Sequence, residues 1–216
     1  KFIGTATTEG NQVFTVYVRN KETGCVNTAQ VTFAVKALPE VTITASDSEI
    51  CEGSSTTLTA NANTDVIYEW SNGETSSMIN TGDLTANKTF TVIVTDKLTS
   101  CSAEVSHEVV VSKKPKFTIV AEPAEVCNGE TQTVEFTTSV TNGVDVASYV
   151  WSDAAIVASG GSYSITKTWT ASETFEATAT SDKGCVSMPV TVAVKVNELP
   201  VVTLSADQTD LKYCEG

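Results

Sequence analysis

The sequence predicts an all-β protein made of tandem β-sandwich modules with about seven strands each. Apolar and polar residues alternate over short runs, as in 41–44 and 90–94, which is typical of half-buried strands. Turn residues such as those of 71–73 separate the runs. No window combines helical spacing with capping residues. Short strands at this density favour two packed sheets.

A repeat runs through the whole chain. One segment starts with a phenylalanine and ends with a cysteine, at Cys25, Cys101 and Cys185, in steps of 76 and 84 residues. A second segment starts with a proline, at Pro39, Pro115 and Pro200, in steps of 76 and 85. That segment ends with a cysteine at Cys51, Cys127 and Cys214, in steps of 76 and 87. Three markers that share one period indicate repeated modules.

The proline positions divide the chain into four parts. Residues 39–113 (the first module) and 114–199 (the second module) are predicted to be complete. Residues 1–38 are predicted to be the C-terminal part of another module, and residues 200–216 the N-terminal part of a further one. We therefore expect the chain to be a piece of a longer array.

Seven strands are predicted in each complete module. Those of the first module are 41–45, 49–51, 55–60, 66–70, 77–81, 88–96 and 103–111. Those of the second module are 116–121, 125–127, 131–140, 147–152, 162–169, 173–181 and 186–196.

Two tryptophans are predicted to lie in the cores. Trp70 and Trp151 each end an alternating run, 19 residues after Cys51 and 24 residues after Cys127. A tryptophan on the third main strand fills the space between the sheets of immunoglobulin-like sandwiches. Trp169 has no aligned tryptophan in the first module, and we expect it in the core as well.

A series of short motifs spans each module. In the first module it consists of Pro-x-Val-Thr-Ile from Pro39, Ile-Cys-x-Gly from Ile50, Leu-Thr-Ala from Leu58, Tyr-x-Trp-Ser-Asn-Gly from Tyr68, Phe-Thr-Val-x-Val-Thr-Asp from Phe90, and Cys101. This series resembles the immunoglobulin-like or PKD-like tandem modules of large secreted surface proteins of Bacteroidota. The second module departs from it at 134–136 and at Asp153. The resemblance implies adhesins, gliding-associated proteins, or spacers beside catalytic domains.

The cysteines allow two disulfide patterns. The simplest joins the cysteines within each complete module, as Cys51–Cys101 and Cys127–Cys185. Each bond would close a loop of 50 or 58 residues and contribute roughly 3–4 kcal/mol. Cys25 and Cys214 would then have partners outside this sequence.

The pattern within modules is the expected one, but strand geometry argues against it and leaves as an alternative a bond between modules, from Cys51 to Cys185; free thiols are the third possibility. In an immunoglobulin-like topology the two cysteines of one module lie at opposite ends of the sandwich. A strand of about eight residues separates these ends by about 25 Å. A disulfide needs Cα atoms within ~7 Å. Bonds between modules would make a stiff rod.

Composition limits the partners and the compartment. The net charge is −13, from 13 basic and 26 acidic residues, so nucleic acid is not an expected partner. No apolar run is long enough to predict membrane insertion. Lone, regularly spaced cysteines predict disulfides, and hence an extracellular or cell-surface location.

No catalytic site is predicted. His107 is the only histidine, and the aligned positions hold Val31 and Thr191, so we interpret it as a surface or edge residue. Acidic residues fall in predicted turns instead of forming the facing pair that glycoside hydrolysis needs. No cofactor is expected.

Structural calcium is the alternative for the acidic turn residues. Asp47 and Glu49 lie near one end of the first module. Asp96 and Asp182 are predicted to share a turn position, which Asn20 occupies in the first segment. Calcium takes several oxygen ligands. Turn chemistry, in which Asp and Asn bond their own backbone, is the favoured interpretation.

We therefore expect a structural or adhesive extracellular repeat region, a stalk or fibre without catalysis. The expected partners are neighbouring modules of the same chain, with self-assembly or surface glycans as alternatives. One alternative function is a carbohydrate- or protein-binding module, for which Tyr149, Tyr163 and Trp169 are the residues of interest. The other is an accessory spacer of a large secreted enzyme.

Overall fold

The computed structural model describes residues 8–204. These residues form seventeen β-strands and no helix, so none of them lies in a helix that could cross a membrane. The chain divides into two compact units, with the boundary in the sequence between Ser112 and Lys113. The prediction of an all-β fold is confirmed. The module boundaries at 39, 114 and 200 stay predictions.

The first module is a two-sheet sandwich of seven strands. They are β3 (Val41–Ala45), β4 (Glu49–Cys51), β5 (Thr57–Ala62), β6 (Val66–Trp70), β7 (Met78–Asn80), β8 (Lys88–Asp96) and β9 (Ser102–Ser112). One sheet has the order β3-β5-β7 and the other β4-β9-β8-β6. All pairs are antiparallel except β4 with β9, which run parallel. This is an immunoglobulin-like arrangement, in which the chain changes sheets between β3 and β4.

The alternation in the sequence explains the core of this module. Every second residue of β8 points between the sheets, and Phe90, Val92 and Val94 are fully buried there. Leu58 from β5 and Val109 from β9 meet them from the two sheets. Burying a side chain of this size contributes roughly 1.5–3 kcal/mol.

The second module repeats this plan with one more strand. Its strands are β10 (Phe117–Glu122), β11 (Glu125–Cys127), β12 (Thr131–Val140), β13 (Val146–Trp151), β14 (Val157–Ser159), β15 (Ser162–Thr168), β16 (Glu173–Ser181) and β17 (Val190–Asn197). The sheet orders are β10-β12-β15-β14 and β11-β17-β16-β13. The extra strand, β14, pairs with β15 across the tight turn at Gly160 and Gly161.

The last strand of the second module begins later than its sequence predicts. β17 starts at Val190 instead of residue 186. Pro189 has no N–H to donate to the neighbouring strand. Thr180 pairs with Val186, but Ala177 pairs with Val190, so β17 carries one extra residue before regular pairing starts.

An isolated hairpin precedes the first module. β1 (Gly10–Arg19) pairs with β2 (Val26–Val35) in a two-stranded antiparallel sheet. Phe14 aligns with Phe90 in the repeat, yet it is 56% exposed where Phe90 is fully buried. Among the described residues, no second sheet covers the hairpin as one covers β8 and β9.

Candidate functional site

In each of the three repeats, a hairpin turn precedes the last strand, and a cysteine ends that turn. The backbone N–H of Asp96 donates to the carbonyl of Cys101 at 2.9 Å. The same bond joins Asn20 to Cys25 and Ser181 to Cys185, also at 2.9 Å. We call these three turns the cysteine hairpins. They end in Cys25, Cys101 and Cys185.

Asp96 organises the turn of its cysteine hairpin. Its carboxylate accepts from the N–H groups of Leu98 at 2.9 Å and Thr99 at 2.7 Å, and from the Thr99 hydroxyl at 2.9 Å. The Thr99 N–H, followed by hydrogen bonds from the hydroxyls of Thr64 and Thr99, holds the pKa of Asp96 below its ordinary value. In the N-terminal hairpin, the Asn20 side chain accepts from two backbone N–H groups in the same way.

The prediction that Asp182 shares this turn position is wrong. Ser181 occupies it, and its hydroxyl accepts from the Cys185 N–H at 3.0 Å. The hairpin from Ser181 to Cys185 is one residue shorter than the hairpin that starts at Asp96, so alignment on the aspartate is displaced by one residue. Asp182 instead corresponds to Lys97.

The other cysteine of each module lies on a short strand beside the last strand. Cys51 pairs with Ser112 at the end of β9. Cys127 pairs with Asn197 at the end of β17. We call Cys51 and Cys127 the strand cysteines.

A glutamate two residues earlier fixes each of these short strands. Glu49 accepts from the Ser112 hydroxyl at 2.6 Å, and Glu125 accepts from the Asn197 side-chain amide at 2.7 Å. The hydrogen bond from Asn197, and then the charge of Lys195, lower the pKa of Glu125.

The two cysteines of one module lie at opposite ends of the sandwich. Cys51 is level with Ser112, whereas Cys101 directly precedes Ser102, where β9 begins. Ten residues of extended strand separate these levels by about 33 Å. In the second module, β16 and β17 separate Cys127 from Cys185 in the same way. Both distances exceed the ~7 Å between Cα atoms that a disulfide allows.

The cysteine states agree with this geometry. Cys101 and Cys127 have free thiols, so the predicted bonds Cys51–Cys101 and Cys127–Cys185 are not formed. Cys51 and Cys185 are disulfide-bonded. Cys25 is free and exposed, and Cys214 lies outside the described residues.

The acidic residues considered for calcium do not converge. Asp47 and Glu49 lie near the end of the first module where β9 finishes. Asp96 lies at the opposite end, where its carboxylate accepts hydrogen bonds from the turn. Residues 8–204 contain no group of three acidic, cysteine or histidine side chains placed to hold a metal ion.

Trp70 and Trp151 occupy equivalent positions at the ends of β6 and β13, but they differ in burial. Trp70 is 2% exposed, and its indole N–H donates to the Ser76 carbonyl at 2.8 Å. Trp151 is half-buried and packs against Phe136, with ring centroids 5.0 Å apart. Its indole nitrogen is buried with no hydrogen-bond partner among the described residues.

Trp169 has a structural counterpart that sequence alignment missed. Its carbonyl accepts from Gly129 at 2.7 Å, just as the Leu84 carbonyl accepts from Gly53. Trp169 is fully buried, and its indole N–H donates to the Gln132 carbonyl at 3.0 Å. The shared signal is a glycine two residues after each strand cysteine, which turns the chain towards this position.

The aromatic residues considered for sugar binding face the core. Trp169 is fully buried and offers no stacking surface. Tyr149 and Tyr163 pack edge to face, with ring centroids 5.8 Å apart, beside Phe117 and Trp151. Burial, followed by the neighbouring Tyr149, raises the pKa of Tyr163. This cluster joins the two sheets instead of forming a platform.

Neither His107 nor the depression beside Trp70 forms a catalytic arrangement. His107 pairs with Phe90 and lies half-buried on the inward-facing side of β9, at a level that β4 does not reach, so of the two predicted environments the exposed surface is wrong and the strand edge is not contradicted. Its Nε2 atom is buried without a hydrogen-bond partner among the described residues. The depression is lined by Glu69, Trp70, Ser71, Thr91 and Ile93, a set with one carboxylate.

Comparison with known proteins found no matching family model and no significantly similar curated protein. Among solved structures, the fibronectin(III)-like modules of Clostridium thermocellum CbhA are 14% identical, over 76% of this chain and 100% of that chain, with a TM-score of 0.36. Murine CEACAM1b is 12% identical over 74% and 100%, with a TM-score of 0.38. The eight N-terminal Ig domains of Down Syndrome Cell Adhesion Molecule are 12% identical over 87% and 28%, with a TM-score of 0.40. Because these TM-scores are low, we assign the fold of each module from the strand order and register of this chain alone.

Proposed function

We propose that this chain is a structural or adhesive repeat region of a large secreted surface protein, and that it catalyses no reaction. The observation that carries the proposal is a parallel strand pair found in both modules. β4, near the start of the first module, pairs with its last strand β9, and β11 pairs with β17 in the same register. This pairing suits a module that bears tension.

Tension along the chain loads this pair in shear. Force acts on a module through the residues before its first strand and after its last strand. It pulls β4 and β9 in opposite directions along their length, so the hydrogen bonds between them must break together. Those bonds include the Val110 N–H to the Ser48 carbonyl at 2.9 Å and the Glu52 N–H to the Ser112 carbonyl at 2.8 Å. The second module has the equivalent bonds, from Lys195 to Ala124 and from Asn128 to Asn197.

The outer faces of the sheets support a spacer role. Hydroxyl pairs link neighbouring strands there, including Thr91 with Ser106 at 2.8 Å and Thr133 with Thr166 at 2.7 Å. Together with the net charge of −13, such faces favour solubility. Repeated modules of this kind set length by copy number.

The disulfide supports an extracellular location, because disulfides persist in oxidising compartments. The resemblance to Bacteroidota surface proteins fits this location. The partners we propose are neighbouring modules of the same array, with copies of the chain or surface glycans as further ligands. No cofactor is part of the proposal.

Single-molecule force spectroscopy on the 216-residue chain tests the role in bearing load. Val110→Pro removes the N–H that bonds the Ser48 carbonyl, directly before β4, and Val110 lies beyond the last residue of β9 that pairs with β8. We expect the first module of this variant to unfold at a clearly lower force, while the second module is unchanged. Val110→Ala keeps the N–H and serves as the matched control. Equal unfolding forces for the proline and alanine variants would contradict the proposal.

A further inference from the structure

An asparagine directly precedes a glycine at three places in the chain. These are Asn72 before Gly73, Asn128 before Gly129, and Asn142 before Gly143. The three glycines have positive φ, at 87°, 82° and 67°, so each pair lies in a turn that favours glycine. A glycine also lacks the Cβ that would shield its backbone nitrogen from the side chain of the residue before it.

This arrangement makes an asparagine prone to lose its amide nitrogen without an enzyme. The glycine nitrogen gives up its proton to a base in the solvent and attacks Cγ of the asparagine. A new N–Cγ bond forms, the Cγ–Nδ2 bond breaks and ammonia leaves, so a cyclic imide remains. Water then opens the ring on either side and gives aspartate or isoaspartate, whose backbone runs through Cβ and Cγ. Water is consumed, ammonia is released, and no oxidant or reductant is needed.

The side chain of Asn72 is the least tethered of the three. It is exposed, and its Oδ1 accepts a hydrogen bond from the Glu74 N–H at 3.2 Å. Glu74 belongs to the same turn, and its N–H points at the oxygen on which negative charge develops when Cγ is attacked, which favours the attack. Nδ2 of Asn72 makes no hydrogen bond to another described residue, so the departing nitrogen is not held.

The side chain of Asn142 is held at both ends of its amide. Its Oδ1 accepts from the Lys116 N–H at 3.1 Å, and its Nδ2 donates to the Lys114 carbonyl at 2.8 Å. Both partners are backbone groups of the segment that leads into β10, so they fix the half-buried side chain to a different part of the module. Two hydrogen bonds must therefore open before Cγ of Asn142 reaches the next nitrogen.

The side chain of Asn128 is held through its amide nitrogen. Its Nδ2 donates to the Glu198 carboxylate at 3.1 Å, and the residue is half-buried. This bond must open before ammonia can leave.

The glycine nitrogens complete the count of bonds that oppose the attack. The N–H of Gly73 donates to the Trp70 carbonyl at 2.8 Å, and the N–H of Gly129 donates to the Trp169 carbonyl at 2.7 Å. The N–H of Gly143 makes no hydrogen bond within residues 8–204. One bond therefore opposes the reaction in the turn of the first module, and two bonds oppose it at each site of the second module.

We propose that Asn72 is a site of spontaneous deamidation and that it converts before Asn128 and Asn142. The reagent is water, so the site needs neither an enzyme nor a partner. This inference is independent of the proposed load-bearing role, and either can fail while the other stands.

Conversion of Asn72 to isoaspartate would alter the turn that follows β6. There the Trp70 N–H donates to the Glu74 carbonyl at 2.9 Å, and the Trp70 indole N–H donates to the Ser76 carbonyl at 2.8 Å. Isoaspartate adds a carbon atom to the backbone between these partners, so the bonds no longer fit the same turn. Asn72 is thus a point at which the first module loses stability with age.

Timed incubation of the folded 216-residue chain tests the order of conversion. The chain is kept in warm, mildly alkaline buffer, and samples are digested with pepsin in acid, where the glycine nitrogens keep their protons. Tandem mass spectrometry locates each change from amide to acid. We expect Asn72 to convert first and the other two about fivefold more slowly, because one more hydrogen bond must open at each. Earlier conversion of Asn128 or Asn142, equal rates at the three sites, or no conversion of Asn72 would overturn the proposal.

The unfolded chain provides the control for the effect of the fold. In concentrated guanidinium chloride the hydrogen bonds are lost, and we expect the three asparagines to convert at similar rates. If Asn72 led by the same margin in the unfolded chain, its neighbours in the sequence would set the order and the structural argument would be wrong.

Glutamine variants connect the site with its effect on the module. Glutamine would have to form a larger, less readily closed ring, so Asn72→Gln should lose the earliest modification, whereas the matched control Asn142→Gln should keep it. Circular dichroism verifies that both variants are folded. After incubation, thermal unfolding of the first module should shift to lower temperature in the wild type and in Asn142→Gln but not in Asn72→Gln. A shift of equal size in all three would show that Asn72 is not where the module ages.

Discussion

At one core position the two modules use side chains of very different size. Leu84 fills it in the first module, and Trp169 fills it in the second. The backbone bonds that hold the position are the same, from Gly53 and from Gly129. The larger ring also packs against Phe175, with centroids 6.2 Å apart. The surroundings of Trp169 are therefore shaped for an indole.

Trp169→Leu gives the second module the side chain that the first module uses. We expect it to lower the free energy of unfolding of the second module by about 2–4 kcal/mol, because the leucine leaves a cavity and abandons the bond to the Gln132 carbonyl. Chemical denaturation followed by near-UV circular dichroism measures the change. Val150→Ala, at an exposed site of the same module, is the control, and a loss below about 0.5 kcal/mol for Trp169→Leu would contradict the expectation.

The carboxylate of Asp96 makes the stability of the first module depend on pH. Folding lowers the pKa of Asp96, foremost through the Thr99 N–H, so its contribution is present above the ordinary value of about 3.9. The contribution shrinks as the pH falls below that ordinary value and is lost once the pH has passed through the lower folded value.

We expect Asp96→Asn to be less stable than the wild type at pH 7 and the difference to shrink below about pH 4. Denaturant unfolding at a series of pH values measures the difference. The exposed Asp83 provides the control substitution, Asp83→Asn, which removes one carboxylate outside the cysteine hairpins. A difference between Asp96→Asn and the wild type that stays constant with pH would contradict the expectation.

At the scale of elements, the cysteine hairpins show how the same turn tolerates different residues. The residue before the cysteine has positive φ in all three: Gly24 at 72°, Ser100 at 59° and Gly184 at 79°. A non-glycine residue is uncommon there because its Cβ approaches the backbone. The first module therefore carries strain that the other two hairpins avoid.

Ser100→Gly should relieve that strain. We expect the first module to gain about 0.5–1 kcal/mol, less a part lost to the greater freedom of the unfolded chain. The reverse substitution, Gly184→Ser, should destabilise the second module by a similar amount, since nothing lies within 4 Å of the added Cβ and only φ opposes it. Thermal unfolding of both variants gives the comparison, and a destabilised Ser100→Gly variant would sink the interpretation.

The elements that sequence could predict are those with a local cause. Alternation places β8 at Lys88–Asp96 and β6 at Val66–Trp70, at their predicted residues, because each strand buries one face. The displaced start of β17 depends on Pro189 and one extra residue, and the equivalence of Trp169 with Leu84 depends on backbone bonds. Both features depend on pairing between segments that are distant in the sequence. A change of one residue in a loop shifts the alignment of the two modules, so sequence comparison does not detect them.

At the scale of the whole molecule, repetition explains which residues can vary. Most inward-facing positions are apolar in both modules, with His107 as an exception, whereas turn residues such as Asp96 and Ser181 differ in chemistry and hold the same hairpin. The two modules therefore share their core and their strand pairing, and they differ in the side chains that close their turns.

Removal of calcium tests whether anything beyond core packing and strand pairing stabilises the chain. The carboxylates of Glu49 and Asp96 already accept protein hydrogen bonds, and they lie at opposite ends of the first module. We therefore expect the unfolding midpoints of the full chain to be the same in 1 mM EDTA and in about 1 mM calcium chloride, because an ion would gain stability only where several oxygens meet. Differential scanning calorimetry at fixed ionic strength makes the measurement. A rise of several degrees with calcium, absent with magnesium, would mean that oxygens from more than one turn come together, and the stability of the chain would then depend on metal as well as on core packing.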